Sequence, residues 1–89
     1  MNIHDLSPND RPRERLRRYG AAALSSVELL ALLIGTGGSR RSALALAHEL
    51  LGAFAGSLRQ LAAAPTATIT QIRGLGPARA AVIHAALEL

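Results

Sequence analysis

The chain has 89 residues, enough for one small domain, and 49% of them are apolar. Its ten basic residues are all arginine and outnumber six acids, so the formal net charge is +4. Cysteine is absent, which excludes disulfides, thiolate metal sites and thiol catalysis, and fits a reducing cytoplasm. The longest apolar run, 29–34, is far below the ~18 residues that span a bilayer, so we expect a cytoplasmic protein without a membrane partner. The basic charge suits an anionic partner such as nucleic acid and equally suits plain solvation.

The N-terminal part of the chain divides into an arm and a helix. Residues 1–10 are polar and contain turn signals, so we predict an N-terminal arm followed by a single helical domain over 11–89. Pro12 suits a helix start and Gly20 a helix stop. They bound a first, mostly charged helix over roughly 11–19.

The next stretch predicts a second and a third helix. Ser25 and Glu28 have the spacing of a capping box, which predicts a helix from about 26 to 34 that ends at Gly35. Because this helix is apolar nearly all round, we expect it at the centre of the fold. A third helix is predicted over about 40–54. One face of it is formed at helical spacing by Leu44, Ala47, Leu51 and Phe54, and Leu46 and Leu50 widen that face.

Three further segments complete an all-α fold of five to six helices. Ser57 and Gln60 repeat the capping-box spacing and open a short helix over 57–63. A fifth helix is predicted from about 65 to before 74, and the last from 77 to the end. The β-branched run "TATITQI" would also suit a strand, but no second strand is available to pair with it, so helix is favoured.

The loop "GLGP" between the last two helices has the features of an anion site. Two glycines permit a sharp turn, with positive φ allowed at either, and a proline suits the first turn of the following helix. Such a turn leaves backbone N–H groups at a helix N-terminus, where phosphate binds readily. No side chain here reads a base, so binding to the sugar–phosphate backbone is expected. The predicted DNA-binding residues of this loop are Gly74, Leu75, Gly76, Pro77, Arg79 and Arg73.

The segment "ITQIRGLGPARAAVI" resembles the helix-hairpin-helix motif of DNA-binding proteins. The alternative is a helix hairpin whose glycine turn serves packing alone. A second, degenerate copy of the pattern, "LLALLIGTGGSRRSALALA", has Thr36 where an apolar residue is expected. Its predicted phosphate-binding residues form a weaker second site: Gly35, Gly37, Arg40 and Arg41. Two hairpins joined by a connector helix resemble the tandem form of this fold, similar to the second domain of RuvA. The five arginines of the first helix extend this contact or solvate the helix.

Five blocks along the chain resemble the RadC family, also called UPF0758 or DNA repair protein RadC-like. They are "DRPRERL", "LSSVELLALLIGTG", "LALAHELL", "GSLRQL" and "IRGLGPARAAVIHAALEL", and they cover essentially the whole chain. In that family this helical region is an N-terminal domain, followed by a JAB1/MPN-type domain with a zinc site built around a His-x-His pair. No His-x-His is present, and His48 and His84 are isolated, so no metal or other cofactor is expected. The resemblance implies a piece of a longer protein or a truncated gene product that lacks the zinc domain.

Two functions remain open from the sequence. The first is a non-enzymatic, sequence-independent DNA-binding module, which the resemblance associates with DNA repair or processing. The second is a protein-interaction module that serves the missing C-terminal domain through apolar residues such as Val82, Ala86 and Leu89. An enzyme is disfavoured because no nucleophile–base pair, carboxylate dyad or metal cluster can be found.

Overall fold

A computed structural model describes residues 11–35 and 41–89, and this part of the chain is helical with no strand. A 3₁₀ turn, Ala21–Ala23, links the first two helices. The predicted all-α class is therefore confirmed, whereas the predicted arm lies outside the described residues. The described α-helices are α1 (Arg11–Tyr19), α2 (Ser26–Ile34), α3 (Ala43–Ala53), α4 (Leu58–Ala63), α5 (Thr66–Thr70) and α6 (Pro77–Glu88).

Serine caps begin three of the helices. The capping box predicted for α2 is formed by both of its hydrogen bonds, between Ser25 and Glu28. Ser57 Oγ accepts the N–H of Gln60 at 3.1 Å, which is the first bond of the box predicted for α4, but the N–H of Ser57 donates to Phe54 O at 2.9 Å, so the full box is not formed. The predicted start of α3 near residue 40 is wrong, because Ser42 Oγ accepts the N–H of Ala45 at 3.0 Å and the helix begins at the next residue.

α5 is shorter than predicted and ends at Thr70. The chain then continues in tight turns, in which the N–H of Ile72 bonds to Ile69 O at 3.1 Å and that of Leu75 bonds to Ile72 O at 3.0 Å. Thr70 Oγ1 also donates to Ala67 O at 2.8 Å. Threonine is β-branched, which restricts its rotamers in a helix, and its hydroxyl hydrogen-bonds to nearby backbone groups as Thr70 does here. Both effects disfavour an extension of α5 beyond Thr70.

The core lies between α2, α3 and the α5–α6 pair. α2 contacts α1, α3 and α6, which confirms its predicted central position. Burial of these apolar side chains is the main stabilising term of the fold. The buried cluster consists of Leu30, Ala31, Ile34, Ala43, Leu46, Ala47, Leu50, Leu51, Leu61, Ile69, Leu75, Ala80 and Ile83.

The buried face of α3 is rotated relative to the prediction. Leu46 and Leu50, expected at its edge, are 1% and 0% exposed and lie at its centre. Leu44 and Phe54, expected on the face, are half-buried against the cluster. Both sets follow helical spacing, so the choice between them depends on how α3 packs against α2.

α1 is attached to α2 by a polar network. Pro12 is buried, and Arg15 Nε donates to Glu28 Oε2 at 2.5 Å. The guanidinium of Arg15 also lies 5.6 Å from the ring centre of Tyr19. Glu28 Oε1 accepts the N–H of Ser25 at 3.0 Å. That backbone bond, followed by the hydrogen bond and charge of Arg15, outweighs partial burial and holds the pKa of Glu28 below its ordinary value of 4.5.

Candidate nucleic-acid interface

The N-terminus of α6 differs from those of α2, α3 and α4 in its capping. Gly76 is the N-cap residue, Pro77 occupies the first turn, and no side chain caps the helix. At the other three helices a serine hydroxyl accepts a backbone N–H of the first turn. α6 therefore presents its N–H groups and the positive end of its dipole without a side-chain acceptor.

The polar groups of this first turn can be accounted for individually. Pro77 has no N–H, and the N–H of Ala80 already donates to Gly76 O at 3.0 Å. The N–H groups of Gly76 and Ala78 make no hydrogen bond within residues 11–35 and 41–89. Ala78 is exposed and Gly76 half-buried, so a ligand can reach this turn from solvent.

The two glycines of the loop have different backbone conformations. Gly74 has φ +102°, a region that favours glycine. Gly76 has φ −82° and ψ 177°, which is extended backbone that any residue adopts. Positive φ, which was considered for either glycine, is therefore found at Gly74 and not at Gly76. A Cβ added to Gly76 would meet no atom within 4 Å, so neither conformation nor packing within the described chain requires glycine there.

Leu75 anchors the loop to the core. Its side chain is 2% exposed and packs in the same cluster as Ile69, Ala80 and Ile83, each of which is 0% exposed. Leu75 was predicted as part of the DNA-binding loop, and its buried side chain leaves only its backbone for that purpose. The small side chain of Ala80 allows α5 and α6 to approach closely, as the sequence indicated.

The two arginines that flank the loop lie in different environments. Arg73 is exposed and forms no ion pair with a residue of 11–35 or 41–89. Arg79 is partly buried, and its Nε donates to Ile34 O at 2.7 Å. The side chain of Arg79 thus crosses from the first turn of α6 to the last turn of α2.

The first glycine loop is described only at its two ends. Gly35 closes α2 with φ +69°, and its N–H donates to Ala31 O at 3.0 Å. Arg41 forms an ion pair with Glu49 of α3, which neutralises part of its charge. Gly37 and Arg40, two of the residues predicted for the weaker site, lie outside the described residues.

Three of the five arginines of α1 pair with two carboxylates, so part of the charge on this helix is compensated locally. Arg17 Nη1 and Arg18 Nε lie 3.4 and 3.2 Å from the carboxylate oxygens of Glu14. Arg15 is paired with Glu28 of α2. The other two arginines of α1 are exposed. These exposed helix pairs contribute little to stability, but they lower the local positive potential.

His48 is exposed and His84 is half-buried. The Nδ1 of His84 lies 2.8 Å from Thr66 Oγ1, and its Nε2 lies 3.3 Å from Leu61 O. His84 thus links α6 to α4 and α5. No group of three or more potential metal-ligating side chains occurs among the described residues. Within the same residues, no helix is both long and apolar enough to cross a membrane.

Two polar contacts could not be identified from the sequence. Arg79 and Ile34 are 45 residues apart. His84 and Leu61 are 23 residues apart. A backbone carbonyl leaves no signal of its own in a sequence. The only clue was that both side chains are the polar residues of an otherwise apolar stretch of α6.

The chain has close relatives along its whole length. It matches the family model described as UPF0758 N-terminal over residues 3–81. A UPF0758 protein of Geotalea uraniireducens (strain Rf4) is 57% identical over an alignment of 89 residues that covers 98% of this chain and 39% of that protein. One of Psychrobacter cryohalolentis is 47% identical over 89 residues, with 100% of this chain and 39% of that protein covered.

A third relative, a UPF0758 protein of Porphyromonas gingivalis (strain ATCC BAA-308 / W83), is 46% identical over 90 residues, with 100% of this chain and 40% of that protein covered. No solved structure matches the chain. The chain spans about two-fifths of the length of these relatives, and the part it matches is the one the family model describes as N-terminal. The chain belongs to the UPF0758 family and corresponds to the N-terminal domain of that family.

Proposed function

We propose that the loop 73–76 and the first turn of α6 bind the phosphate backbone of DNA without reading its sequence. The observation that supports this most directly is Gly76, which the described chain requires neither for its φ nor for packing. A residue without a side chain at an uncapped helix N-terminus allows a phosphate oxygen to approach the amides of Gly76 and Ala78. The second glycine loop, with Gly35, Gly37, Arg40 and Arg41, is proposed as a weaker contact of the same kind.

The chemistry of the loop favours the backbone of DNA over its bases. The N–H groups available at α6 are donors, and phosphate oxygens accept from them regardless of the base sequence. Residues 73–76 include no Asn, Gln or acidic side chain to pair with base edges in a groove, and Arg73 is the one side chain of this segment that suits either a phosphate or a base edge. Arg73 adds an exposed positive charge next to the amides. The association with DNA repair or processing rests on the resemblance to the RadC family.

Fluorescence anisotropy on labelled duplexes of unrelated sequence tests this function. We expect similar dissociation constants for all duplexes, on the order of 10⁻⁴ to 10⁻⁶ M at physiological salt, and weaker binding as salt rises. The variant Gly76→Asp places a carboxylate where the phosphate would bind. The same carboxylate can cap α6, so the domain should gain about 0.5–1 kcal/mol of stability while it loses DNA binding.

A matched control separates the blocking of the site from the change in net charge that an added aspartate causes. Gly52→Asp makes the same change at an exposed glycine of α3, where an added Cβ also meets no atom within 4 Å. It should leave most of the affinity in place. Arg73→Gln and Arg59→Gln form a second pair, because both arginines are exposed and only the first lies at the loop. Equal losses within either pair would count against the loop as the binding site.

A protein-interaction module is the second candidate. On α6, Val82 is 49% exposed and Ala86 is half-buried, and Leu89, which follows the helix, is fully exposed. These side chains suit a contact with the rest of a longer protein, such as the C-terminal domain of the family. A chemical-shift titration discriminates the two functions, because DNA should perturb the amides of 74–79, whereas a protein partner should perturb the exposed side chains of α6.

A further inference from the structure

The hydrogen bond from Arg79 Nε to Ile34 O joins two helix pairs, α2–α3 and α5–α6. Ile34 is the last residue of α2, and its carbonyl is among those that an α-helix leaves without a partner at its C-terminus. Arg79 lies in the first turn of α6. The 2.7 Å bond therefore brings the start of the first glycine loop to within one side chain of the second loop.

The electrostatics of this contact are favourable in two ways. The C-terminal end of α2 has the negative end of a helix dipole, and a guanidinium there is stabilising. Without Arg79, that negative end would lie beside the N-terminus of α6 and weaken its attraction for an anion. The bond is partly buried, where a charged donor contributes more than it does in water.

We infer that Arg79 is a positioning residue and not a ligand of phosphate. It fixes the end of α2, and with it Gly35 at the start of the first glycine loop, against the first turn of α6. The contact between α2 and α6 through Arg79 is a property of the free protein, whereas the effect of Arg79 on DNA affinity rests on the function proposed above. Arg73, which is exposed, would then be the arginine that supplies charge at the second loop.

Two substitutions separate the hydrogen bond from the charge. In Arg79→Gln the amide nitrogen lies the same number of bonds from Cα as Nε does, so an N–H donor remains for Ile34 O while the charge is lost. Arg79→Met has a side chain of similar length with neither donor nor charge. The readouts are the carbonyl ¹³C shift of Ile34, the amide ¹⁵N shift of Gly35, and the salt dependence of DNA affinity.

If Arg79 positions the loops, Arg79→Gln keeps the shifts of Ile34 and Gly35 near their wild-type values and, because only the charge is lost, loses less affinity than Arg79→Met. Arg79→Met then moves both shifts and loses about tenfold in affinity, as expected for a lost charge-assisted bond. If Arg79 instead binds phosphate, both variants lose affinity equally, and the negative slope of log K against log salt becomes less steep by about 0.9. That result overturns the inference.

The contact between Arg79 and Ile34 can be tested even if the domain does not bind DNA. In that case the proposed function fails, while conserved shifts in Arg79→Gln and moved shifts in Arg79→Met still support the link between the helix pairs. Should Arg79→Met fail to fold, a scalar coupling across the hydrogen bond between Arg79 Nε and the Ile34 carbonyl carbon, measured in the wild type, decides the question. Absence of that coupling, or unchanged shifts in both variants, overturns the inference.

Discussion

Replacing each glycine of the α5–α6 loop by alanine tests whether the fold needs both. At Gly74 the backbone has φ +102°, and an L-residue forced to positive φ loses roughly 1–2 kcal/mol. The reduced freedom of the unfolded chain returns about 0.4–1 kcal/mol of that. Gly74→Ala should therefore destabilise the domain by about 1 kcal/mol, which corresponds to a melting temperature about 4–8 °C lower for a domain of this size.

Gly76→Ala should behave differently. The extended backbone, with φ −82°, and the open space around a new Cβ impose no strain. Alanine is a poorer N-cap than glycine by a few tenths of a kcal/mol to about 1 kcal/mol, and the entropy of the unfolded chain offsets this by a similar amount. The melting temperature should stay within a few degrees of the wild type.

Differential scanning calorimetry on the two variants and the wild type gives both values. The control is Gly52→Ala, at an exposed position in the interior of α3, which should be stabilised by roughly 0.5–1 kcal/mol. A Gly76→Ala variant as unstable as Gly74→Ala would show that the fold itself requires Gly76. The proposal that this glycine gives a ligand access to the helix amides would then lose its main support.

Three further results are expected. The pKa of Glu28 in the folded protein lies below its ordinary value of 4.5, so its contribution to the free energy of unfolding is complete above that pH and is lost as the pH falls through the lowered pKa. Urea denaturation should therefore show wild type to be more stable than Glu28→Gln near neutrality, with no such difference at strongly acidic pH. Ala55→Gly should raise the melting temperature, since Ala55 has φ +55° and strain of roughly 1–2 kcal/mol exceeds the entropic cost of glycine. Leu50→Ala should cost about 2–5 kcal/mol in chemical denaturation and Leu44→Ala clearly less, because Leu50 is 0% exposed and Leu44 half-buried; equal losses would contradict the observed rotation of α3.

The helix boundaries could be predicted wherever a local signal marks them. α1 and α2 have the predicted bounds, because a proline, a serine cap and two glycines act within one turn of the helix ends. The start of α3 was missed because Ser42, its cap, follows a run of other polar residues. The buried face of α3 could not be chosen, since two overlapping apolar sets satisfy the same helical period.

The candidate site was predictable as a loop and not as a set of contacts. The glycines and the proline of "GLGP" indicate a turn before a helix, and that is what the structure has. Which glycine needs positive φ depends on how Leu75 is drawn into the core, and this is a tertiary effect. The hydrogen bond of Arg79 is to a backbone carbonyl 45 residues away, so spacing in the sequence could not reveal it.

The salt dependence of binding distinguishes a DNA contact at the glycine loops from one at α1. The slope of log K against log salt is about −0.9 for each phosphate neutralised on duplex DNA. With Arg79 bonded to Ile34 and Arg41 paired with Glu49, a contact through the two glycine loops neutralises only one or two phosphates. We therefore expect a slope between about −1 and −2. A contact through the five arginines of α1 would break its pairs with Glu14 and Glu28 and give a slope of about −4 or steeper, and a measured slope in that range would assign binding to α1.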